Sequence, residues 1–478
     1  MDNLSSGWRK WLWLLAGAGL GVVGTNTTWS IAVAGWVFSV CLMRFTRASG
    51  VLAGFLWVCL GSAASTVLGV AAAGQSGTAA ILVGCLVLSV LLSLPLLADR
   101  LVAARLGPLL GTLVFPAARV AVEFLIASTS PLGTIFGPLG TSQSTNLPLL
   151  QLVSVTGIYG ISFLMAWAAP VANLLLERRG ARPAAAYASV LGLVLLGGGL
   201  RLAAAPAHGE LVRVAGVSVS QAAEDRKRQL AGRPAEAYAA LNDDLFAQTR
   251  REASGGAKIV AWPEAGAAVL EPDYPAFLAA ARNVARDNHI YLDLGVAVMR
   301  TGRPHSRDLA VLVSPDGQVL STYDKAHPVP GLEDLKPGDG RVPVTSTPYG
   351  RLANVICFDA DFPSTLRTRA DVMFVPSNDW RGVERIHARN AVFRAVENGY
   401  ALVRQTSGGL AISTDAYGVP LARTDYFSTP QQSMVVYVPT HGTRTVYGVV
   451  GDLFAWLCAA AATGLLGAGL VRRKGALR

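Results

Sequence analysis

The hydrophobic positions of this chain follow two different patterns. Residues 1–207 and 447–471 hold long apolar runs with few charges, whereas residues 208–444 mix apolar and polar positions as soluble domains do. A helix of roughly 20 apolar residues is long enough to cross the hydrocarbon of a bilayer. We therefore predict eight membrane-spanning helices, at 11–26, 28–43, 51–73, 79–97, 108–127, 154–176, 185–204 and 449–471.

The first predicted span has a second interpretation. Residues 11–24 also resemble the apolar core of a signal peptide. Because no clear small-x-small cleavage motif follows and further spans come at once, a retained helix is the favoured interpretation.

The region between the seventh and eighth spans alternates short β-rich runs with helical stretches. The predicted strands are Val212–Val219, Lys258–Ala261, Ile290–Val298, Leu309–Val313, Leu352–Cys357, Val372–Val375, Ala401–Gln405 and Ser433–Tyr437. The predicted helices are Ala235–Glu252, Tyr274–Asp287, Ser364–Arg369 and Glu384–Asn398. This alternation, with a turn at Asp316-Gly317, predicts an α/β sandwich.

These patterns predict three parts of the chain. Residues 1–207 form a polytopic helical membrane domain of about seven spans, and residues 208–446 form the α/β sandwich. Residues 447–478 form the last span and a basic tail.

The composition is typical of a membrane protein, and its excess positive charge is unevenly distributed along the chain. The chain is 52% hydrophobic and only 15% charged, with a net charge of +10. Residues 208–444 hold 26 basic and 26 acidic residues, so the excess lies beside the spans. Basic residues in those places orient a protein in the bilayer, and we expect no nucleic-acid partner.

The basic residues fall in every second loop. Those beside the spans are Arg9, Lys10, Arg44, Arg47, Arg100, Arg105, Arg178, Arg179, Arg182, Arg472, Arg473, Lys474 and Arg478, whereas loops 74–78 and 128–153 have no Lys or Arg. Because loops on the cytoplasmic side carry the basic residues, we expect both termini to be cytoplasmic. After seven spans, the sandwich is then expected on the extracytoplasmic (periplasmic) side of a bacterial cell membrane.

The fifth predicted span contains a pair of opposite charges. Arg119 and Glu123 are four residues apart and share one helix face. Charges within a span are costly and face the protein interior or a polar cavity. The sequence leaves open whether this pair is structural or functional.

One of the five cysteines stands apart from the membrane spans. Cys41, Cys59, Cys85 and Cys458 lie in long apolar runs, whereas Cys357 follows a predicted strand of the sandwich. A single thiol forms no intrachain disulfide and is too little for a structural zinc site. It is either an ordinary core cysteine or a nucleophile presented at a strand end. No nucleotide-binding glycine loop or zinc-binding His/Cys spacing occurs, so we expect no cofactor and no metal.

Two further residues match the needs of a catalytic thiol. Glu264 and Lys325 also directly follow β-rich runs. A carboxylate can accept the proton of the thiol, while an ammonium group favours the thiolate and stabilises an oxyanion. The spacings of the three residues along the chain suggest three strands of one sheet that converge at one edge.

These residues resemble the signatures of the nitrilase (carbon-nitrogen hydrolase) superfamily. The matching segments are Trp262-Pro263-Glu264, Asp324-Lys325 with His327-Pro328-Val329-Pro330 and Glu333, Ile356-Cys357-Phe358, Asn378-Asp379-Trp380, and Arg394-Ala395-Val396-Glu397-Asn398. Eight spans with the sandwich before the last one, and the segments Leu139–Gln143 and Leu150–Gly160, are similar to one branch, the apolipoprotein N-acyltransferases. The resemblance implies a nitrilase-like αββα sandwich.

The resemblance also implies a reaction with a Glu-Lys-Cys triad. Cys357 would take a fatty acyl chain from a phospholipid as a thioester, with Glu264 as base and Lys325 at the oxyanion. The acyl chain would then pass to the α-amine of a diacylglyceryl-cysteine apolipoprotein. Supporting roles are implied for Glu333, Phe358 and Asp359, and substrate-binding roles for Trp262, Asn378, Trp380 and Gln143.

The sequence departs from the family pattern at two places. Phe358-Asp359 stands where the family usually has Tyr-Glu, and no Trp occurs between Val212 and Lys258. Two alternatives therefore stay open beside acyl transfer. The first is a membrane-tethered amidase that uses water as the acceptor, and the second is a catalytically weakened relative that binds lipoproteins.

Overall fold

The structure is a computed structural model that describes residues 7–26, 28–74, 78–205, 209–428 and 433–475. These residues divide into two compact units. The helical unit comprises the described parts of 1–130, 134–204 and 450–478, and the sandwich unit comprises those of 131–133 and 205–449. The predicted boundary between residues 207 and 208, part of loop 74–78, and Arg478 lie outside the described residues.

The helices of the described residues begin and end as follows. They are α1 (Arg9–Gly24), α2 (Ala32–Arg47), α3 (Val51–Ala72), α4 (Ala79–Val102), α5 (Pro108–Gly111), α6 (Val114–Thr129), α7 (Leu147–Leu150), α8 (Val153–Thr156), α9 (Ile158–Leu176), α10 (Ala181–Ala203), α11 (Gln221–Gln229), α12 (Pro234–Ser254), α13 (Tyr274–Asp287), α14 (Glu384–Asn398), α15 (Val446–Val450) and α16 (Leu453–Gly475).

The helical unit contains the apolar segments. Within the described residues, six helical segments are long and apolar enough to cross a membrane: Val51–Ala72, Ile81–Arg105, Pro108–Thr129, Ile158–Leu176, Ala181–Ala203 and Leu453–Arg472. Helices α1 and α2 lie at the first two predicted spans and have 16 residues each. Buried alanines of α6 and α16 pack together in this unit, at Ala117, Ala118 and Ala462.

The strands of the sandwich unit form two sheets. They are β1 (Leu211–Gly216), β2 (Ile259–Ala261), β3 (Ala267–Leu270), β4 (Tyr291–Met299), β5 (Ser306–Val313), β6 (Val319–Asp324), β7 (Val344–Thr347), β8 (Gly350–Asn354), β9 (Val372–Phe374), β10 (Ala401–Arg404), β11 (Leu410–Thr414), β12 (Pro420–Asp425) and β13 (Met434–Pro439). Among the described residues, the first sheet has the order β13-β1-β2-β4-β5-β6, with β3 also paired to β4. The second has the order β12-β11-β10-β9-β8-β7.

Alternation along the strands builds two cores. Val212 and Val214 of β1 point into a cluster that also contains Leu352, Val372 and Phe374 of the second sheet. The opposite face of the first sheet packs on α12 and α13, where apolar residues recur at helical spacing. Helix α14 contacts β10 and β11 of the second sheet. Successive layers are therefore helix, sheet, sheet and helix, and the expected αββα sandwich is confirmed.

Some predicted elements differ from the structure. The helix predicted at Ser364–Arg369 is wrong, because this segment forms turns and irregular chain with Leu366 as its buried apolar anchor. Leu366 is the one buried residue of this segment, so tertiary packing does not stabilise a helix here. The predicted strands also omit β3, β7, β11 and β12, and β6 was identified only as the β-rich run before Lys325. The turn at Asp316-Gly317 is confirmed, and Gly317 has the positive φ of 74° that a tight hairpin favours.

Candidate active site

Lys325 lies directly after β6, and its side chain is fully buried. Its Nζ donates hydrogen bonds to Glu264 Oε1 at 2.5 Å and to Glu333 Oε1 at 2.7 Å. Burial opposes the charge of this ammonium group, but the neighbouring carboxylates outweigh it and raise the pKa of Lys325 well above its usual value. Lys325 is therefore a permanently charged centre between two carboxylates.

Glu264 is held in place by the turn that follows β2. The next residue, Ala265, has a positive φ of 46°, so the chain bends sharply at the glutamate. Gly295 of the neighbouring β4 permits this turn, because a Cβ there would lie 1.9 Å from the Pro263 carbonyl oxygen. The buried Glu264 side chain thus meets Lys325 from a fixed backbone position.

A second carboxyl group, Asp308, lies beside Glu264. It is buried on β5, and its backbone carbonyl accepts a hydrogen bond from the Lys325 N–H at 3.0 Å. Burial and the adjacent Glu264 charge raise the pKa of Asp308 well above its usual range. Burial and this neighbour therefore both disfavour the charged form of the Asp308 carboxyl group.

Cys357 begins a 3₁₀ turn, Cys357–Asp361, that follows β8. Its φ of 44° lies in the left-handed region, which is strained for a residue with a side chain. Its backbone N–H donates to the Pro376 carbonyl at 2.9 Å, which fixes the turn on the strand beside it. Strain of this kind, held by surrounding bonds, is typical of residues that must present a side chain in one direction.

The thiol of Cys357 is protonated in the resting site. Its side chain is buried, and Sγ donates a long hydrogen bond of 3.7 Å to Asp379 Oδ1. Burial, followed by the charges of Glu264 and Asp379, raises the pKa of Cys357 well above its usual value, although Lys325 and Arg404 act in the opposite direction. A thiolate therefore forms only when a base removes the proton during reaction.

The expectation that the three residues follow strands of one sheet is wrong. Glu264 and Lys325 follow β2 and β6 of the first sheet, whereas Cys357 follows β8 of the second. Spacing along the chain could not show this, because a sandwich brings strand ends from both of its sheets to the same edge.

Asp359 joins the Lys325 strand to the cysteine turn. Its carboxylate is fully buried and accepts hydrogen bonds from the Tyr323 hydroxyl at 2.9 Å and the Ile356 N–H at 3.2 Å. It also accepts from the His327 N–H at 2.9 Å and contacts His327 Nδ1 at 2.8 Å. The carboxylate therefore holds the segments on either side of the site together.

The other predicted supporting and substrate-binding residues occupy different environments. Glu333 lies on the loop after Lys325, and its Oε2 accepts a hydrogen bond of 2.7 Å from the Val329 N–H. Phe358 is buried and packs edge-on against Phe362. Asn378 is exposed and Trp380 half-buried, on either side of Asp379.

Two of the residues predicted to bind substrate have other contacts. Trp262 is a core residue, because its ring is enclosed with Phe246 and Phe277 and its Nε1 donates to Thr249 Oγ1 at 2.9 Å. These contacts are those of a core residue, and the substrate-binding role of Trp262 stays a prediction. Gln143 lies in the helical unit, where Nε2 donates to the Ala32 carbonyl at 3.0 Å, and its role in substrate binding stays a prediction.

Two sequence profiles match this chain in succession. The profile of the apolipoprotein N-acyltransferase N-terminal domain matches residues 16–171, and that of carbon-nitrogen hydrolases matches residues 216–434. An apolipoprotein N-acyltransferase from Geobacter metallireducens is 28% identical over 366 residues, which cover 69% of each chain. The two profiles together span most of the chain and make it similar to the apolipoprotein N-acyltransferases. The protein is a membrane-associated acyltransferase with a carbon-nitrogen hydrolase domain.

Other relatives in this family match shorter or more divergent stretches. The apolipoprotein N-acyltransferase from Bradyrhizobium diazoefficiens is 26% identical, with 72% of this chain and 70% of that protein covered. The one from Sinorhizobium medicae is 29% identical, and the match covers 57% of each chain. Among solved structures, an amidase from Nesterenkonia sp. covers 49% of this chain and 93% of its own, with 20% identity and a TM-score of 0.39.

A group of buried charged residues beside the thiol was missed by the sequence reasoning. Asp379 accepts a hydrogen bond from Arg404 Nη2 at 2.8 Å, and it contacts His387 Nδ1 at 2.9 Å. Two signals could have found this group. Asp379 is a charged residue soon after strand β9, like the three that were found, and Arg404 is a charged residue in an otherwise apolar strand. A buried arginine requires a buried partner.

Cys357, Asp379 and His387 also have the chemistry of metal ligands. Their donor atoms all lie within 4.8 Å of one another. However, both oxygens of Asp379 already accept hydrogen bonds from the Arg404 guanidinium group. A cation at this point would have to displace that guanidinium group or lie close to its charge, so the arrangement favours an ion pair and a thiol over a metal centre.

Proposed function

We propose that this protein is a phospholipid:apolipoprotein N-acyltransferase that uses Glu264, Lys325 and Cys357. It moves a fatty acyl chain from a phospholipid to the N-terminal α-amine of a diacylglyceryl-cysteine lipoprotein. The observation that carries the proposal is a buried thiol whose surroundings contain a carboxylate paired with a charged lysine. The apolar helices of the same chain support lipids as the substrates.

The first half-reaction forms a thioester. Glu264 accepts the proton of the Cys357 thiol, and the sulfur attacks the ester carbonyl of the phospholipid. Negative charge develops on the carbonyl oxygen, where the ammonium group of Lys325 stabilises it. The C–O bond then breaks, the lysophospholipid oxygen takes the proton from Glu264, and the acyl chain stays on sulfur.

The second half-reaction transfers the acyl chain to nitrogen. The lipoprotein α-amine attacks the thioester carbonyl, and Glu264 accepts a proton from the attacking nitrogen. The C–S bond breaks, an amide forms, and the sulfur recovers its proton from Glu264. Atoms and charges balance over both steps without a cofactor. The same three side chains therefore serve both halves of a ping-pong cycle.

We also propose an orientation and three domains. The sandwich, residues 208–446, lies on the extracytoplasmic side, whereas residues 1–207 and 447–478 supply the spans and both termini face the cytoplasm. The distribution of basic loops supports this arrangement. Alkaline phosphatase should be active when it is fused after residue 300 and inactive when it is fused after Arg478. Green fluorescent protein should show the reverse, with fluorescence only from the fusion after Arg478.

The decisive test is the intact mass of the purified protein after incubation with a defined phospholipid. We expect the protein to gain the mass of one acyl chain, to lose it in hydroxylamine, and to gain nothing as Cys357→Ala. Addition of a diacylglyceryl-cysteine peptide should discharge the adduct and yield an N-acylated peptide. An adduct that only water discharges would instead identify a hydrolase, and a folded protein without any adduct would overturn the thioester mechanism.

A further inference from the structure

The proposed reaction does not use the charged group on the Asp379 side of the thiol. In the resting site the Cys357 sulfur donates to Asp379 Oδ1 at 3.7 Å, and Glu264 Oε1 is engaged with Lys325. The carboxylate that receives the thiol hydrogen bond is therefore not the carboxylate proposed as the base. The thiol has a second acidic neighbour, which needs a physical explanation.

Asp379 is held more firmly than a surface carboxylate. Arg404 Nη2 donates to both of its oxygens, at 3.0 and 2.8 Å, and both side chains lie in the protein interior. The Arg404 Nη1 also donates to the Leu410 carbonyl at 2.9 Å, which anchors the guanidinium group to β11. A buried ion pair with this geometry allows Asp379 little movement.

His387 supplies a second contact to the same carboxylate. Its Nδ1 lies 2.9 Å from Asp379 Oδ1, while Nε2 faces Asp361 Oδ2 at 3.7 Å. Burial acts against protonation of this imidazole, but Asp361 and Asp379 together raise the pKa of His387, with Arg404 in partial opposition. Because Arg404 and His387 stabilise its charge, the pKa of Asp379 is lowered despite burial. Asp379 stays ionised, so it accepts hydrogen bonds and donates none.

We propose that Asp379 is a positioning residue, which holds the Cys357 thiol as a hydrogen-bond donor in the resting enzyme. Arg404 and His387 in turn hold Asp379. The contact directs the sulfur and keeps its proton in place until the acyl donor is bound and Glu264 can accept it. This role builds on the proposed acyl transfer, but it concerns the thiol itself and can be measured without a lipid substrate.

The first test is the pH dependence of Cys357 alkylation by iodoacetamide, read on the Cys357 peptide by mass spectrometry. Among the described residues, Glu264, Asp379, Lys325 and Arg404 are the charged groups with the largest effect on this thiol, and the titratable imidazole of His387 also lies within 4.8 Å of it. Asp379→Asn removes one of the two negative charges, so we expect the alkylation midpoint to move down by at least half a pH unit. The rate of acyl-enzyme formation should nevertheless fall at least tenfold, because the side chain at position 379 no longer pairs with Arg404 and the acceptor of the sulfur is no longer held in place.

A matched variant separates this role from a purely structural one. Glu397→Gln breaks another buried pair, with Arg394 on the same helix α14, where Arg394 Nε and Glu397 Oε2 lie 2.8 Å apart. This variant should lower thermal stability without moving the alkylation midpoint. An unchanged midpoint in Asp379→Asn, with activity lost in proportion to stability, would overturn the proposal.

Because Asp379→Asn leaves Arg404 buried without its partner, a milder series is also needed. His387→Asn can keep an N–H donor near the position of Nδ1, whereas His387→Ala removes it. We expect the Asn variant to retain at least a third of the acyl-enzyme rate and the Ala variant to lose tenfold, with little change in the KM for phospholipid. Equal losses in both variants would contradict the proposed support of Asp379.

Failure of this proposal and failure of acyl transfer give different results. A wild-type protein without a lipid adduct, but with a midpoint that responds to Asp379→Asn, would reject only the acyltransferase. A hydroxylamine-sensitive adduct in wild type, with an Asp379→Asn midpoint and rate like wild type, would reject only the positioning role.

Discussion

The Tyr323 hydroxyl donates a hydrogen bond of 2.9 Å to Asp359 Oδ2, and this bond joins the end of the first sheet to the turn that begins at Cys357. Tyr323 is two residues before Lys325, and Asp359 is two residues after Cys357. The distance between the ammonium group and the thiol therefore depends on a contact that neither of them makes.

We predict that Asp359→Asn is more damaging to activity than to expression. The amide can accept with only one oxygen, so some of the N–H and O–H donors around it lose their partner, at about 1–3 kcal/mol each. We expect acyl transfer to fall at least tenfold and the thermal midpoint to fall by several degrees. Tyr323→Phe removes a single donor and should have a clearly smaller effect on both. Wild-type acyl transfer by the Asp359→Asn variant would show that the Asp359 hydrogen bonds do not position the site.

A second prediction concerns the loop that carries Glu333. Its carboxylate joins Lys325 to the Val329 N–H, and its side chain is 27% exposed. Glu333→Ala should therefore reduce acyl transfer at least tenfold while the thermal midpoint changes little. The neighbouring Asp334→Asn is the control, since Asp334 pairs with the exposed His305 and should leave the rate as it is. Equal rates for the two variants would contradict a role for this loop.

The three residues that follow strands could be located from the sequence, but the buried charged residues beside the thiol could not. Glu264, Lys325 and Cys357 could be found because each follows an apolar run, which is a local signal. Asp379, His387 and Arg404 meet only in the folded chain, since they come from a loop, a helix and a strand. The αββα layers followed from alternation of elements, whereas short strands such as β3 and β7 depend on pairing partners that local sequence does not reveal.

The third prediction concerns pH and Asp293, a buried residue of β4. Its carboxyl group accepts a hydrogen bond from Asn354 Nδ2 on the second sheet, and burial raises the pKa of Asp293 to about 7. In the unfolded chain an aspartate has a pKa of about 3.9. Between about pH 4 and pH 7 the folded state therefore keeps a proton on Asp293 that the unfolded state has lost. Stability therefore falls as pH rises from about 4 to 7 and levels off above, by on the order of 4 kcal/mol in total.

Asp293→Asn removes this titration and keeps a side chain of the same shape. At pH 8 we expect the variant to unfold several degrees above wild type, and at pH 5 the difference should shrink. The measurement is the thermal midpoint of both proteins in detergent at the two pH values, with the exposed Asp287→Asn as the control. An equal shift at both pH values would contradict a buried carboxyl group with a raised pKa.

The last prediction concerns the charge pair within the sixth helix of the helical unit, Arg119 and Glu123. Arg119 Nε donates to Glu123 Oε1 at 2.6 Å, and its other nitrogens donate to the carbonyls of Leu92 and Gly137. The Leu139 N–H donates to the same glutamate oxygen at 3.1 Å. The pair therefore also holds the backbone at Leu139, in the segment that follows the helix. These contacts favour the structural interpretation that the sequence had left open beside a functional one.

Arg119→Met and Glu123→Met should each leave one uncompensated charge in an apolar interior. We expect a loss of about 3–5 kcal/mol for each, seen as a low yield of monodisperse protein and a reduced thermal midpoint. The double variant Arg119→Met with Glu123→Met leaves no unpaired charge and should recover part of the loss. Strictly additive effects on stability would contradict a coupled pair. Single variants that keep stability and lose only acyl transfer would instead assign the pair to the reaction.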